Sequence, residues 1–392
     1  MKIKEVKAKK ILNSKQEETI EITINKKYKA STGTGTSVGK HEVRAYPKSG
    51  IPINFVNTIL NKKLKGFKID EFTDFIELED LLKELDNTKD LSVIGGDTII
   101  ALEYALLKSL CKGEVWKYLN PSVRRMPLSL GNVIGGGKHS TIESADIQEF
   151  LIMPRTRKFN DSAVVNTFIY SKIKSKLNSS KRDYEGAWII DNTNFRILDK
   201  LNEIIQEASD EIGFIIDLGV DVAASHLSNG VLYSYKNYSG EQKKRMLNKK
   251  EQYDFILNLI NKYNLKYVED PFYEEDFNSF NKLTQEVKDV LICGDDLICT
   301  NIERLKKAKI NCVIIKPNQI GSLIKTKEIV DYAKENNIIT VMSHRSGETM
   351  DKTIAHLAVA WEVPYVKFGV YGKERVAKLN ELTRIERLIK NE

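Results

Sequence analysis

The chain has 392 residues, 41% hydrophobic and 29% charged, with a net charge of +7. That length exceeds one ordinary core and points to about two domains, one of them large enough for a barrel. No apolar run is long enough to span a bilayer, no nucleic-acid-binding motif accompanies the lysines, and a mild positive field suits an anionic small substrate.

The opening "MKIKEVKAKK" alternates charge with single apolar residues and lacks the apolar block of a signal peptide, so a cytoplasmic protein is expected. Cys111, Cys293, Cys299 and Cys312 form no Cys-x-x-Cys pair and read as free thiols in a reducing compartment. "ETIEITIN" (18–25) alternates strictly, and with "KKYKAS" after it predicts a hairpin turning at Asn25, Lys26 and Lys27. "TGTSVGKH" (34–41) comes close to a phosphate-binding loop, but Thr34 stands where the first Gly belongs and His41 where Ser or Thr belongs, so no nucleotide site is read there. Helical periodicity covers about 71–86 and 97–112, which makes residues 1–120 a small α+β domain.

From residue 121 to 392 the pattern changes to short β-rich apolar runs separated by amphipathic helices, the signature of a parallel sheet or barrel. "GGGKHS" (135–140) is a glycine-rich loop without a dinucleotide fingerprint. The lysine cluster in "EQKKRMLNKKE" reads as a solvated face. His226, after "DVAAS", is expected beside a site or on the surface, and His356, in "TIAHLAVAW", is expected to pack within a helix.

Each apolar run then ends in a polar group. "FIIDLGVDVAAS" carries Asp221, "YVEDPF" Glu269, "VLICGDDL" Asp295, "CVIIKP" Lys316, "ITVMSHRS" His344 and Arg345, and "YVKFG" Lys367. Apart from the first step of 48 residues, where "NGVLYSY" suggests an extra hairpin, the steps of 21 to 28 residues fit one strand plus one helix. In register, these groups converge on the C-terminal face of a (β/α) barrel, where barrel active sites lie. An acid at such a place can simply cap the next helix, but Lys316, His344 and Lys367 cannot act as acceptors there. Asp221, Glu269 and Asp295 form a hard-oxygen set suited to Mg²⁺ rather than Zn²⁺. Lys316, close to that metal and to Lys367, is expected to have a lowered pKa and to act as a base.

"IKPNQIGSLIKT" (315–326), "SHRSGETMD" (343–351), "VEDPF" (268–272), "DDL" (295–297) and "AKLNELTRIE" (377–386) resemble enolase over almost the whole chain. The resemblance implies an enolase-type (β/α)8 barrel with an α+β N-terminal capping domain, and Mg²⁺-dependent, reversible dehydration of 2-phosphoglycerate to phosphoenolpyruvate in glycolysis. A Lys base beside Mg²⁺ is the established pattern of that superfamily. By the resemblance, Asp221, Glu269 and Asp295 hold the first Mg²⁺ and Ser37 ligates a second that arrives with substrate. Lys316 removes the C2 proton, Glu185 is the acid for the departing 3-hydroxyl with Glu149 its partner, and His139 is the His of a closing loop. His344, Arg345, Ser346 and Lys367 clamp phosphate and carboxylate. It also implies a homodimer through Glu21 and Arg384.

The family's Ser-Arg-Gly-Asn-Pro is "SKQEE" here (14–18), its Gly-Asp-Glu-Gly-Gly-Phe-Ala-Pro is "RDYEGAWII" (182–190), and one extra residue lies between His139 and Glu149. These departures surround the proposed acid and the lids, so an enolase-like paralogue acting on another hydroxy acid, or a non-catalytic enolase-like binding protein, stays open at this stage.

Overall fold

The computed structural model describes residues 1–36, 38–140 and 143–391. The hairpin forms as expected: β1 (Val6–Leu12), β2 (Glu18–Ile24) and β3 (Tyr28–Ser31) make an antiparallel sheet in the order β1-β2-β3. Ile24 pairs with Tyr28 across the turn. Asn25 and Lys26 take φ of 52° and 60°, and the Asn25 side chain accepts from the Lys4 amide at 2.7 Å, which steadies a left-handed backbone. Ile20, Ile22 and Ile24 are fully buried on the inner face, against the helix Gly96–Cys111. β1 escaped the sequence pattern because only Val6 and Ala8 of its residues are buried. The other predicted helix forms at Phe75–Asp86.

Twelve further strands follow: β4 (Leu128–Ser129), β5 (Gly131–Gly135), β6 (Glu149–Pro154), β7 (Trp188–Ile189), β8 (Ile216–Asp221), β9 (Leu232–Tyr235), β10 (Arg245–Asn248), β11 (Tyr267–Glu269), β12 (Leu291–Gly294), β13 (Cys312–Ile315), β14 (Ile339–Ser343) and β15 (Tyr365–Lys367). β9 and β10 form the extra hairpin expected within the long first step. β4 pairs in parallel with β15 and, one residue on, β5 pairs with β6. The order β5-β6-β8-β11-β12-β13-β14-β15-β4 therefore returns to the same run of backbone and closes a ring. β6 runs antiparallel to both β5 and β8, so the barrel is not uniformly parallel.

Leu130, Leu151, Cys293, Cys312, Ile314 and Val341 fill the ring's interior, leaving room for chemistry only at its mouth. All four cysteines are unpaired thiols. The N-terminal half seats on that mouth: Thr34 and Gly347 exchange backbone hydrogen bonds of 2.8 and 3.0 Å, and Asn318 donates to Asp97 at 2.6 Å. Among the described residues no helix is long and apolar enough to cross a membrane.

Candidate active site

The ladder itself gathers the metal-type carboxylates. Glu269 pairs with Asp221 on one side and with Cys293 on the other, and Asp295 lies two residues beyond Cys293. Because β6 is reversed, its first residue, Glu149, pairs with Asp221, the last of β8. Glu149 thus reaches the same mouth from the opposite end of its strand, a position no list of strand C-termini contains.

The lysines are threaded among these acids. Lys367 Nζ lies 2.6 Å from Glu149, 3.1 Å from Asp221 and 2.9 Å from Glu269. Lys316 Nζ lies 2.5 Å from Asp295, whose other oxygen accepts from Gln319 at 2.8 Å. Burial works against the Lys316 ammonium, but the Asp295 charge outweighs it, assisted by Glu269, and the pKa is raised. Here Lys316 is paired with a carboxylate, whereas the lowering expected from the sequence is for a lysine beside both a bound metal and Lys367. Asp295 is held low by the same contact, against its burial. Burial and the Asp221 charge push Glu269 up to about 8.

Asp221 and Glu269, buried, and Asp295, partly buried, are oxygen donors with no sulfur among them and with lysine ammoniums as counter-charges. That donor chemistry fits a hard divalent cation such as Mg²⁺. Asp270, with φ of 40°, accepts from the amides of Asp295 and Asp296 at 2.9 and 2.7 Å and so fixes the turn that presents Asp295.

A second group faces this one. Ligand atoms of His139, Glu149 and Glu185 lie within 4.8 Å of one another, close enough to share a proton or to hold a cation. His344 Nε2 meets Glu185 at 3.0 Å. Burial raises Glu149 well above the carboxylate range; Lys367 opposes this and the neighbouring acids reinforce it. Burial also tends to raise Glu185, but His344 and His139 hold it low. Both imidazoles are themselves lowered by burial, and that cost outweighs what Glu185 returns to them. Glu185 and Glu149 thus respond oppositely to the same burial, Glu185 meeting two imidazoles and Glu149 meeting Lys367 among other acids.

Arg345 and Ser346 lie against Gly35 and Thr36, in the segment that resembles a phosphate loop without its key residues. Arg345 donates to Glu42 at 2.8 Å, and a Cβ on Gly35 would stand 1.9 Å from its guanidinium, so only Gly permits that approach. Ser346 Oγ accepts from the Thr36 amide at 2.8 Å. Ser37 lies outside the described residues. The altered "SKQEE" segment still docks here: Ser14 Oγ accepts from the Glu348 amide at 3.0 Å, and Lys15 donates to Thr36 at 2.9 Å. Gln16, where the family has Gly, takes φ of 62°.

The altered loop 182–190 has its own support. Asp183 accepts from the amides of Glu185 and Ala187 at 2.8 and 2.9 Å. The Arg182 guanidinium lies between the rings of Trp188 and Tyr371, 4.1 and 4.0 Å from their centroids, and donates to Tyr170 at 2.7 Å. Tyr170 in turn donates to the Gly186 carbonyl at 2.6 Å. Glu42, Asp183 and Arg182 were not singled out as site residues, whereas Gln319 and Asp270 stood unread inside "KPNQIG" and "VEDPF". His356 packs in the helix Thr353–Ala360 as expected and meets Glu381 at 3.1 Å, and His226 sits half-buried on a turn outside the carboxylate cluster.

Comparison with known proteins agrees with this geometry. The family model "Enolase, N-terminal domain" matches residues 3–118, and "Enolase, C-terminal TIM barrel domain" matches residues 123–392. Similar curated proteins include the enolase of Methanosphaera stadtmanae, 38% identical over 99% of this chain and 98% of that one. Those of Methanocorpusculum labreanum (40%, covering 98% of both chains) and Pyrobaculum aerophilum (40%, covering 91% of this chain and 87% of that one) are also similar.

Proposed function

The chain belongs to the enolase family, and we propose that it dehydrates 2-phosphoglycerate to phosphoenolpyruvate, reversibly, with the residues of the barrel mouth in defined roles. The observation that carries this assignment of roles is the single buried cluster in which Asp221, Glu269 and Asp295, from adjacent strands, face Lys316 and Lys367. Residues 121–392 carry the chemistry and residues 1–120 cap it.

Asp221, Glu269 and Asp295 are the residues that would hold Mg²⁺, and Ser37 a second ion accompanying substrate. When bound, the metal supplies Lewis-acid charge that stabilises the substrate carboxylate as negative charge develops on it. Lys316 is the base for the C2 proton. As an ammonium paired to Asp295 it has first to lose a proton, and engagement of Asp295 elsewhere weakens the contact that now keeps it charged. Glu185 is the acid for the departing 3-hydroxyl with Glu149 its partner carboxylate, while His344 orients Glu185 and His139 closes over both. Arg345, Ser346, His344 and Lys367 bind the phosphate and carboxylate. The cytoplasm is the matching location.

A homodimer is part of this reading. Glu21 and Arg384 line one groove on the face of the monomer, and Arg384, now paired with Glu114 and Glu381, is partly exposed and free to exchange partners. A monomeric mass by light scattering at micromolar concentration contradicts it.

The roles are tested by following product and C2 exchange together. Lys316→Ala should lose phosphoenolpyruvate formation and exchange of the C2 proton with solvent alike, by about 10²–10⁴-fold, the usual worth of a positioned base. Glu185→Gln should block loss of the hydroxyl while exchange persists, since the acid acts after C2 is deprotonated. Wild-type protein that binds 2-phosphoglycerate with Mg²⁺ yet shows neither activity would remove the assignment.

A further inference from the structure

Beside the catalytic cleft lies a second one of opposite charge. The catalytic cleft is walled by six carboxyl groups, Glu149, Glu185, Asp221, Asp270, Asp295 and Asp296, against the three cationic side chains Lys316, Arg345 and Lys367. Its neighbour is walled by four lysines: Lys138 from the turn after β5, and Lys236, Lys243 and Lys244 from the β9–β10 hairpin. Gln148 and Ala223 line both, so the two spaces adjoin across a common wall.

The charge of the second cleft is not cancelled from within. None of its four lysines makes an ion pair among the described residues. Of its two acids, Asp146 is occupied in accepting from the amides of Lys236 and Asn237 at 2.9 and 2.7 Å, and Glu143 is exposed. Lys243 and Lys244, from the lysine cluster that reads in the sequence as a solvated face, are exposed as expected and also line this cleft.

We infer that this cleft is an antechamber for phosphorylated carboxylates, a second anion site that collects substrate at the mouth and hands it across Gln148 and Ala223 to the catalytic groups. The inference rests on the function proposed above. A phosphate ester carrying a carboxylate is an anion that meets the lysines beside the mouth before it reaches the clamp. A neighbouring field of opposite sign raises its local concentration and its rate of capture. Such an effect acts at a distance, so salt screens it, whereas contacts inside the buried clamp are screened much less.

The experiment replaces Lys236, Lys243 and Lys244 together by Gln. Lys138 is left in place because it adjoins His139. At low ionic strength kcat/KM for 2-phosphoglycerate should fall about tenfold with kcat unchanged, and the gap should close near 0.5 M salt, where the screening length is only a few ångströms. The matching triple Lys→Arg variant should behave as wild type. A variant with wild-type kcat/KM and salt dependence overturns the inference, and so does a loss that is the same at all salt concentrations. If the wild type does not turn over, it is the proposed function that fails. The cleft is then judged by calorimetry with phosphoenolpyruvate, and equal affinities of wild type and Gln variant at low salt overturn it.

Discussion

At the barrel mouth, Asp221, Glu269 and Asp295 take their places from a backbone ladder: β8, β11 and β12 are hydrogen-bonded in register, and each acid stands at or just beyond a strand end. Across the cleft, Glu185 takes its place from side chains, with Asp183 holding its amide and Arg182 wedged between Trp188 and Tyr371. The two halves of the site differ accordingly in how sequence change reaches them. A ladder tolerates substitution of its neighbours, because its bonds belong to the main chain. A loop held by side chains can keep its function only by replacing one set of contacts with another. The family's Gly-rich segment has become "RDYEGAWII", and the cage of Arg182, Trp188, Tyr170 and Tyr371 is the replacement.

The larger effect is expected on the ladder side. Asp295→Asn keeps an oxygen for Gln319 but leaves the Lys316 ammonium without its counter-charge. Breaking a buried pair costs about 3–5 kcal/mol, and this pair, partly exposed at both ends, falls below that. Relief of repulsion among the carboxylates returns only part of that, since Asp295 is the acid held low by Lys316 while Glu269 is held high by Asp221. The variant should therefore melt earlier without metal. It should also lose the Mg²⁺-dependent rise in melting temperature, which in wild type amounts to about 2.7 kcal/mol at a hundredfold excess over Kd. Thermal scans with and without Mg²⁺ measure both. A variant that keeps the full Mg²⁺ response shows that these three acids are not the metal site.

This difference also governs what could be read in advance. The polar residues of the parallel strand ends were legible because a strand–helix repeat places chemistry once per repeat, and the apolar runs "CVII" and "ITVM" mark where each strand stops. Glu149 was visible only through family resemblance, because an antiparallel strand brings its first residue to the mouth rather than its last. The Lys316–Asp295 contact was not legible because it joins different strands, and spacing along the chain does not report which of two neighbours comes nearer. The approach of two imidazoles to Glu185 was hidden for the same reason: they come from loops with no fixed register to it. Arg182 carried no signal at all, since a lone Arg before an Asp reads as surface until Tyr371, far along the chain, is folded against it.

The smaller effect, and the sharper test of the contrast, is expected on the loop side. Arg182→Ala removes a guanidinium from between two rings and a hydrogen bond to Tyr170, and a cation over aromatic faces at a partly desolvated site contributes about 1–2 kcal/mol. The guanidinium rests on Trp188 of β7, which pairs with β5, several strands from β13 and Lys316, so formation of the carbanion at C2 should proceed. Tyr170, however, loses the partner that orients its hydroxyl toward the Gly186 carbonyl, next to Glu185, and displacement of a catalytic group by about 1 Å can cost a hundredfold. With Asp183 still holding the Glu185 amide, a loss of about tenfold in phosphoenolpyruvate formation is expected, with C2 exchange within about twofold of wild type. Arg182→Lys retains the charge without the planar stack and should fall between the two. A merely structural role would lower exchange and product together, in proportion to the folded fraction; a change in their ratio identifies Arg182 as a positioning residue for the acid.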